Sequence, residues 1–174
     1  MPEVTGSANP ERPLAARLRE IGIFGGMSHA TLERLCTALP VVQAQPGDRI
    51  VEEGESARAM YVVLSGEVEI LKRSAQGAEV RVALLGAGDW FGEMSLLDVQ
   101  PRSASVMCVA PAVLLRISNR DVDELLYRTD LKSYTLLMMN IARELSRRLR
   151  VADGILVNLQ MTLSTEFSRG SGAR

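Results

Sequence analysis

A run of short β-prone segments between residues 41 and 118 constrains the fold of this chain more than any other feature. Each segment is rich in Val, Ile, Leu or Tyr, and each ends at a turn such as Pro46-Gly47-Asp48 or Gly86-Ala87-Gly88-Asp89. The predicted strands cover residues 41–44, 49–52, 61–64, 67–72, 79–85, 104–110 and 113–118. About eight short strands with turns at this spacing are typical of an antiparallel barrel or sandwich.

Helical patterns flank the predicted strands on both sides. Apolar residues recur at helical spacing over residues 14–23, and Ser28 is predicted to cap a second helix that Pro40 stops. After the strands, Asn119 is predicted to cap a short helix and Asp130 to start a long one. We therefore expect an α+β fold in which helices precede and follow one antiparallel β unit.

The long C-terminal helix carries a heptad pattern. Its apolar positions alternate in steps of four and three residues, at Met138, Ala142, Leu145, Leu149, Ala152, Leu156, Leu159 and Leu163. A helix that packs on its own β unit would account for the first half of this pattern. The full pattern is longer than one small barrel can cover, so we favour a parallel two-stranded homodimer. Gly154 interrupts the pattern and is the predicted place for a bend.

The patterns divide the chain into five successive segments. The charge balance of the chain also limits the ligands that it can bind. The segments are a flexible tail (1–13), N-terminal helices (14–40), the β unit (41–118), C-terminal helices (119–163) and a second flexible tail (164–174). Among the 174 residues, 20 are basic and 21 acidic, so the net charge of −1 argues against a broad nucleic-acid surface.

Cysteine usage and the apolar runs indicate the compartment. Cys36 and Cys108 show no metal-ligand spacing, and both are predicted to be buried thiols in a reducing environment. The N-terminus lacks a signal-peptide pattern, and the longest apolar run, residues 59–64, is too short to cross a bilayer. We expect a cytoplasmic protein without a metal site.

The segment from Phe91 to Val106 carries the most chemical information. Gly92 allows the backbone to approach another group closely, and residues 93–97 can form a short helix whose first N–H groups favour an anion. Arg102 begins the next strand, directly after Pro101. Apolar side chains are predicted to pin the short helix into the barrel, namely Phe91, Met94, Leu96 and Leu97. Read alone, Glu93 and Arg102 could simply pair with each other.

The whole segment resembles the phosphate-binding cassette of cyclic-nucleotide-binding domains. That motif reads Phe-Gly-Glu, an apolar residue and Ala-Leu, then a short loop and Pro-Arg-x-Ala-Thr, and the resemblance extends over residues 14–151. Ser95 and Ser105 stand where the family usually has Ala and Thr. The resemblance implies an eight-stranded, jelly-roll-like antiparallel β-roll with N-terminal helices and a long C-terminal dimerisation helix.

The resemblance also implies a role for each residue of the cassette. Glu93 would accept a hydrogen bond from the ribose 2′-hydroxyl, and Arg102 would pair with the cyclic phosphate through its planar guanidinium. The backbone N–H groups of Ser95 and Ser103 would donate to the exocyclic phosphate oxygens. The implied nucleotide-binding residues in this part of the chain are Phe91, Gly92, Glu93, Met94, Ser95, Arg102, Ser103 and Ala104.

Recognition of the base stays open at this stage. In bacterial members of the family the long helix supplies a Thr and a Ser to adenine, and Ala152 and Asp153 align with those positions. Asp153 could accept from the adenine amine or from the guanine N1–H and N2 amine, or it could face solvent and read nothing. Ser103 could also reach a guanine amine. The ligand is therefore either cyclic AMP or cyclic GMP.

The leading hypothesis is a sensor that binds a cyclic nucleotide, needs no cofactor and signals to a protein partner through its C-terminal helix. No catalytic site is expected, since the single histidine, His29, follows a predicted helix cap. The residues after Leu163 are too few for a helix-turn-helix, so we expect no DNA binding. Because the apolar runs are too short to cross a bilayer, we also expect no membrane association. The alternative is a dimerisation or interaction module that keeps the fold without a ligand, and the intact Glu93 and Arg102 argue against it.

Overall fold

A computed structural model of the chain describes residues 14–98 and 100–171, with side chains described up to residue 162. The helices are α1 (Leu14–Leu18), α2 (His29–Ala38), α3 (Met94–Leu97), α4 (Asn119–Val122) and α5 (Leu131–Ser171). The strands are β1 (Val41–Ala44), β2 (Arg49–Val51), β3 (Ala59–Arg73), β4 (Glu79–Leu85), β5 (Trp90–Phe91) and β6 (Ser105–Ser118). A 3-10 turn covers Gly22–Phe24 and a π-helical turn covers Asp123–Tyr127. The chain divides into two compact units after Leu137.

The described strands form one antiparallel sheet built around the two longest strands. Its order is β1-β6-β3-β4, while β2 also pairs with β6 and β5 also pairs with β3. The predicted α+β class and the antiparallel sheet are confirmed, but the described residues form six strands rather than eight. Strand β3 joins the predicted strands 61–64 and 67–72, β6 joins 104–110 and 113–118, and β5 was not predicted.

A bulge at Gly66 explains why two predicted strands form one. The register of β3 against β6 shifts between Val63 and Val68, so the strand bends without ending. Gly66 has a φ of 83°, and a Cβ built on it would lie 2.2 Å from the backbone oxygen of Pro111. Glycine thus permits both the left-handed backbone and the close contact between the two strands.

The core of the β unit comes from the inward faces of these strands. Val63, Val68 and Leu114 are fully buried in it, and Phe91 from β5 packs against the same cluster. Cys108 is buried here as predicted, whereas Cys36 on α2 is only half-buried. Burial raises the pKa of the Cys36 thiol to about 11, so the reactive thiolate is scarce at neutral pH.

Of the predicted N-caps at Ser28 and Asn119, the first is present and the second is replaced by the preceding residue. The Ser28 hydroxyl accepts from the Thr31 N–H at 3.1 Å, which confirms the predicted cap of α2. The prediction that Asn119 caps α4 is wrong, because Ser118 is the cap and forms a reciprocal capping box with Asp121. The capping box satisfies the free N–H groups at the helix start and releases the Asn119 side chain for another contact.

The first and last helices differ from the predicted segments. The helix predicted over residues 14–23 ends at Leu18 and is followed by the 3-10 turn. Helix α5 passes through Gly154 without interruption and continues beyond Leu163 to Ser171, into the segment predicted as a tail. The tail predicted over residues 1–13 lies outside the described residues. None of the described helices is long and apolar enough to cross a membrane.

A polar network joins α2 to the start of α5. Asp130 accepts from the Thr31 hydroxyl at 2.6 Å, from the Ser133 hydroxyl at 2.7 Å and from the Ser133 N–H at 3.1 Å. Thr31 and Ser133 are both 3 % exposed. These hydrogen bonds, led by that of Thr31, hold the pKa of Asp130 below its ordinary value. Asp130 therefore starts the long helix, as predicted, and also anchors it to an element distant in sequence.

Asp130→Ala is expected to lower the free energy of unfolding by about 1–3 kcal/mol at neutral pH, because it leaves two buried hydroxyls without their acceptor. Since the folded-state pKa is depressed, this stability is present above the unfolded value and is lost as the pH falls through the folded value. Urea unfolding of parent and variant between pH 3 and pH 7 measures the difference. The control is Asp123→Ala, which removes an exposed ion pair with Arg128 and should cost less than about 1 kcal/mol. Equal losses in the two variants, or a loss independent of pH, would contradict this role.

Candidate functional site

The loop that carries the candidate site is held to the sheet at its entry. Strand β5 pairs with β3 through Phe91 and Tyr61, whose rings stack with centroids 5.2 Å apart. The preceding turn is fixed by two backbone bonds of Val63, one with Gly88 and one with Asp89, each 2.9 Å long. Phe91 is 5 % exposed, so the residue before Gly92 is anchored in the core as predicted.

The exit of the loop is held just as firmly, at Arg102. The Arg102 N–H donates to the Glu55 carbonyl and the Arg102 carbonyl accepts from the Gly54 N–H, both at 2.9 Å. Ser56 forms a β-bridge with Pro101 directly before it. The segment after β2 thus fixes the backbone of Arg102, and sequence patterns gave no sign of this pairing because its members lie far apart in the chain.

Gly92 and Arg102 meet across the loop. Gly92 has a φ of 77°, and a Cβ built on it would lie 2.5 Å from Nη1 of Arg102 and 3.1 Å from the Ala59 carbonyl oxygen. Only a glycine leaves room for the guanidinium to lie against this backbone. The predicted close approach at Gly92 is therefore to Arg102 itself, and it brings together two residues that are ten positions apart in the sequence.

The Arg102 guanidinium is buried without the hydrogen bonds and close carboxylate that would offset its loss of water. The residue is 9 % exposed, and among the described residues neither its Nε nor its Nη1 has a hydrogen-bond partner. The nearest carboxylate oxygen, Oε1 of Glu55, lies 3.8 Å from Nε, and Glu55 is half exposed. Burial lowers the pKa of Arg102, with Tyr61 and Glu55 opposing the shift. A buried cation with free donors is the arrangement expected of a site that receives an anion.

The short helix α3 begins beside this guanidinium. Glu93 is 5 % exposed and immediately precedes it, so the predicted carboxylate is held in a buried position. The Ser95 hydroxyl donates to the Gly92 carbonyl at 2.7 Å, and the Ser95 N–H donates to the same oxygen at 3.2 Å. The serine in place of the family's usual alanine therefore closes the turn that holds Glu93. A phosphate would share or replace the internal bond of the Ser95 N–H.

Two apolar side chains of α3 do not pin it into the barrel. Met94 is 53 % and Leu97 is 46 % exposed, so that part of the prediction is wrong, while Phe91 is buried and Leu96 is half-buried. A helix of four residues has one inward face, and Ser95, 4 % exposed, occupies it.

The segment between Arg102 and β6 is held by a basic residue that sequence reasoning missed. Lys72 donates to the carbonyl of Ser103 and lies 3.5 Å from a carboxylate oxygen of Glu53. Ser103 is exposed and Ala104 is half-buried. The buried Ser105 hydroxyl accepts from the Glu53 N–H at 3.0 Å, so the serine in the usual threonine position has a structural partner.

Asn119 is the second residue that sequence reasoning did not place at the site. Its side-chain amide donates to the Ser95 carbonyl at 2.9 Å, which ties α3 to the first residue of α4. The one sequence signal for this role was the position of Asn119 directly after β6. A helix cap is equally consistent with an asparagine at that position. The bond provides a direct contact between the candidate site and the helices that follow the sheet.

Ala152 and Asp153 lie in the second compact unit, residues 138–174. Both side chains are exposed on helix α5. Their predicted part in reading the base stays a prediction.

Comparison with known proteins agrees with this geometry. The model of the cyclic nucleotide-binding domain family matches residues 41–129. The chain is 41 % identical over 107 residues to the cyclic AMP receptor protein of Thermus thermophilus, covering 62 % of this chain and 47 % of the relative. It is 30 % identical over 145 residues to a CRP-like cAMP-activated global transcriptional regulator of Mycobacterium tuberculosis, covering 83 % of this chain and 62 % of the relative. The chain thus spans about half to three-fifths of the length of these relatives.

The structural comparison gives the same result. The crystal structure of the Thermus thermophilus catabolite activator protein superposes with a TM-score of 0.71 at 34 % identity, covering 80 % of this chain and 63 % of that one. The matched region contains the sheet, Glu93 and Arg102 in the predicted spacing. The chain belongs to the cyclic nucleotide-binding domain family.

Proposed function

We propose that this protein is a sensor that binds a 3′,5′-cyclic nucleotide against Gly92, Glu93 and Arg102. The observation that carries the proposal is the Arg102 guanidinium, buried against Gly92 with two donor nitrogens unpartnered among the described residues. A cyclic phosphate carries one negative charge and acceptor oxygens, which match one cation with free donors. Glu55 at 3.8 Å is too distant and too exposed to take that role.

The relatives support a role in binding and regulation. They include the cyclic AMP receptor protein already compared and a cAMP-dependent protein kinase regulatory subunit of Yarrowia lipolytica, which is 38 % identical over 89 residues. A cGMP-dependent protein kinase of Eimeria tenella is 36 % identical over 104 residues, which cover 60 % of this chain and 10 % of the kinase. The proposed ligand class therefore comprises cyclic AMP and cyclic GMP, and we assign the protein a binding function without catalysis.

The role of Glu93 can be tested with a matched ligand. If Glu93 accepts from the ribose 2′-hydroxyl, Glu93→Ala should weaken cyclic AMP binding by about 1.5–3 kcal/mol, the range for a hydrogen bond to a charged group. The parent should lose a similar amount with 2′-deoxy cyclic AMP. Glu93→Ala should bind the two ligands within about twofold of each other, because the shared hydrogen bond is already gone. Titration calorimetry of both proteins with both ligands measures the four affinities.

Additive losses would contradict this assignment. If Glu93→Ala and the 2′-deoxy ligand each weaken binding and their effects sum, the carboxylate and the hydroxyl do not interact. Glu93→Gln is the control for packing, since it keeps the side-chain volume and removes the charge. It should fold like the parent and bind cyclic AMP with intermediate affinity.

We further propose that the C-terminal helix carries the signal as a homodimer. Four of its heptad residues are Leu145, Leu149, Leu156 and Leu159, and the last three are between 57 % and 63 % exposed within the chain. So much exposed apolar surface along one helix, at the spacing of a two-stranded coiled coil, favours a second helix as its cover. A ligand that binds two states of this helix with different affinity would shift the populations of those states. A protein partner that contacts the helix would then respond to the shift.

The dimer prediction has two readouts. The parent is expected to sediment as a dimer, and hydrogen exchange between residues 150 and 159 is expected to slow when cyclic nucleotide binds. The Leu149→Glu, Leu156→Glu double variant should be a monomer that still binds nucleotide, because Glu93 and Arg102 belong to the first compact unit. The control places Glu at Val151 and Val157, exposed positions on the helix face away from the heptad set, and should stay dimeric. A monomeric parent with and without nucleotide would contradict the proposal.

A further inference from the structure

A cavity of about 620 Å³ lies beside the Pro101–Arg102 segment, and Arg116 in its wall is close enough to Arg102 for their charges to interact. Its wall includes Pro101 and Gln100 from the loop, Ser56 from the segment paired with that loop, and Asn119 at the start of α4. Gly92, Glu93 and Arg102 are not among its described lining residues. The volume lies within the range of about 300–1,000 Å³ typical of small-molecule sites.

Arginine dominates the chemistry of this cavity. Arg58, Arg116 and Arg120 line it, and its described wall contains no carboxylate. Within the described part of the chain, neither Arg58 nor Arg116 forms an ion pair. Arg120 pairs with Glu124 at 2.7 Å, but its side chain is 81 % exposed, and such a surface pair is weak and easily exchanged for a better anion. Guanidinium groups stay protonated at all physiological pH values, so the wall carries a permanent positive charge.

The framework around these arginines is rigid. Arg116 sits in the central strand β6, opposite Tyr61 of β3, and its N–H donates to the Pro40 carbonyl at 3.0 Å. The Arg58 carbonyl accepts from the Asn119 N–H at 3.2 Å, which ties that residue to the start of α4. Charged donors on a fixed backbone need little reorganisation to bind an anion, and planar guanidinium groups suit phosphate oxygens.

We propose that this cavity binds a small phosphorylated molecule with at least two negative charges. Arg58 and Arg116, which have no carboxylate partner among the described residues, supply the charge. The amide of Gln100 and the hydroxyl of Ser56 supply neutral donors, and the volume accommodates more than one phosphate group. This ligand is distinct from the singly charged cyclic phosphate assigned to Arg102. The proposal stands on the cavity alone and does not depend on the proposed sensor function.

Pyrophosphate is the probe that tests the site. Titration calorimetry of the full chain in a phosphate-free buffer at low salt, with no cyclic nucleotide present, is expected to show saturable binding. Arg116→Gln and Arg58→Gln should each weaken it by about tenfold or more, since each removes a charged donor. Arg116→Lys keeps the charge and should retain part of the affinity. Thermal unfolding of each variant checks that the fold is intact.

Three controls make the result decisive. Arg81→Gln removes an exposed arginine of β4, paired with Glu69 at 3.7 Å, and should leave pyrophosphate binding unchanged within about twofold. If Arg102→Gln abolishes pyrophosphate binding while Arg116→Gln does not, the anion occupies the other site and the proposal is wrong. Binding of a Glu-rich peptide without binding of pyrophosphate would assign the surface to a protein partner and overturn it as well.

Discussion

Arg102→Ala is expected to weaken cyclic-nucleotide binding by about 2–5 kcal/mol, a loss of more than tenfold in affinity. The substitution removes a guanidinium that is buried against Gly92 and has two donors unpartnered among the described residues, so a cyclic phosphate would enter without this charged partner. The free protein should remain folded, because a buried cation that lacks hydrogen bonds costs stability in the absence of ligand. Titration calorimetry gives the affinity and urea unfolding gives the stability.

The matched control is Arg81→Ala on the outer strand β4. Arg81 is 63 % exposed and lies outside the loop, so its loss should leave nucleotide affinity within about twofold of the parent. An Arg102→Ala protein that binds cyclic AMP and cyclic GMP as tightly as the parent would show that the site is assigned to the wrong residues. An Arg102→Ala protein that fails to fold would contradict the expectation about stability, and Arg102→Lys then tests binding with the charge retained.

Gly66→Ala is expected to lower the free energy of unfolding by about 2–5 kcal/mol. A side chain at the φ of 83° costs about 1–2 kcal/mol. The added Cβ also meets the Pro111 oxygen at 2.2 Å and the Ala112 Cα at 2.5 Å, and relieving that overlap costs about 1–3 kcal/mol more. Both contacts are backbone atoms, so no side chain can rotate away. Chemical denaturation of parent and variant measures the loss.

Gly77→Ala separates the cost of the positive φ from the cost of the overlap with backbone atoms. Gly77 has a φ of 86°, close to that of Gly66, but a Cβ there would meet nothing within 4 Å. It should therefore lose only the conformational part, about 1–2 kcal/mol. If the two variants lose equal stability, the contact between β3 and β6 at Gly66 does not constrain the fold, and the explanation for the two merged strands fails.

Sequence patterns predicted those strands and helix ends that depend on interactions between residues close together in the chain. The alternation over residues 67–72 and 79–85, the cap at Ser28 and the helix start at Asp130 depend on neighbours in sequence, and the structure has them in place. The sequence divided β3 into two predicted strands because Gly66 looks like a turn in isolation. Its bulge is defined by Pro111, which lies in a strand distant in sequence.

At the candidate site, too, short-range features were predicted and long-range contacts were not. Glu93 and Arg102 were predicted because their spacing in the motif is short and specific, and Gly92 and Arg102 of that motif are in contact. The bonds from Lys72 to Ser103 and from Asn119 to Ser95 were not predicted, since tertiary contacts alone bring these residues together. Asn119 was assigned to capping because the same residue type serves both purposes.

The most direct test of the account is calorimetry of the parent protein with cyclic AMP, cyclic GMP, a cyclic dinucleotide and 5′-AMP. Saturable binding of cyclic AMP or cyclic GMP, with one site per chain, is the expected result. In competition for the site at Arg102, 5′-AMP and the cyclic dinucleotide should displace the cyclic mononucleotide only weakly. The phosphate of 5′-AMP carries more charge and lacks the cyclic geometry. The preferred mononucleotide then identifies the base that the site accepts. Absence of saturable binding by both cyclic mononucleotides would contradict the central claim and favour a module that keeps the fold without a ligand.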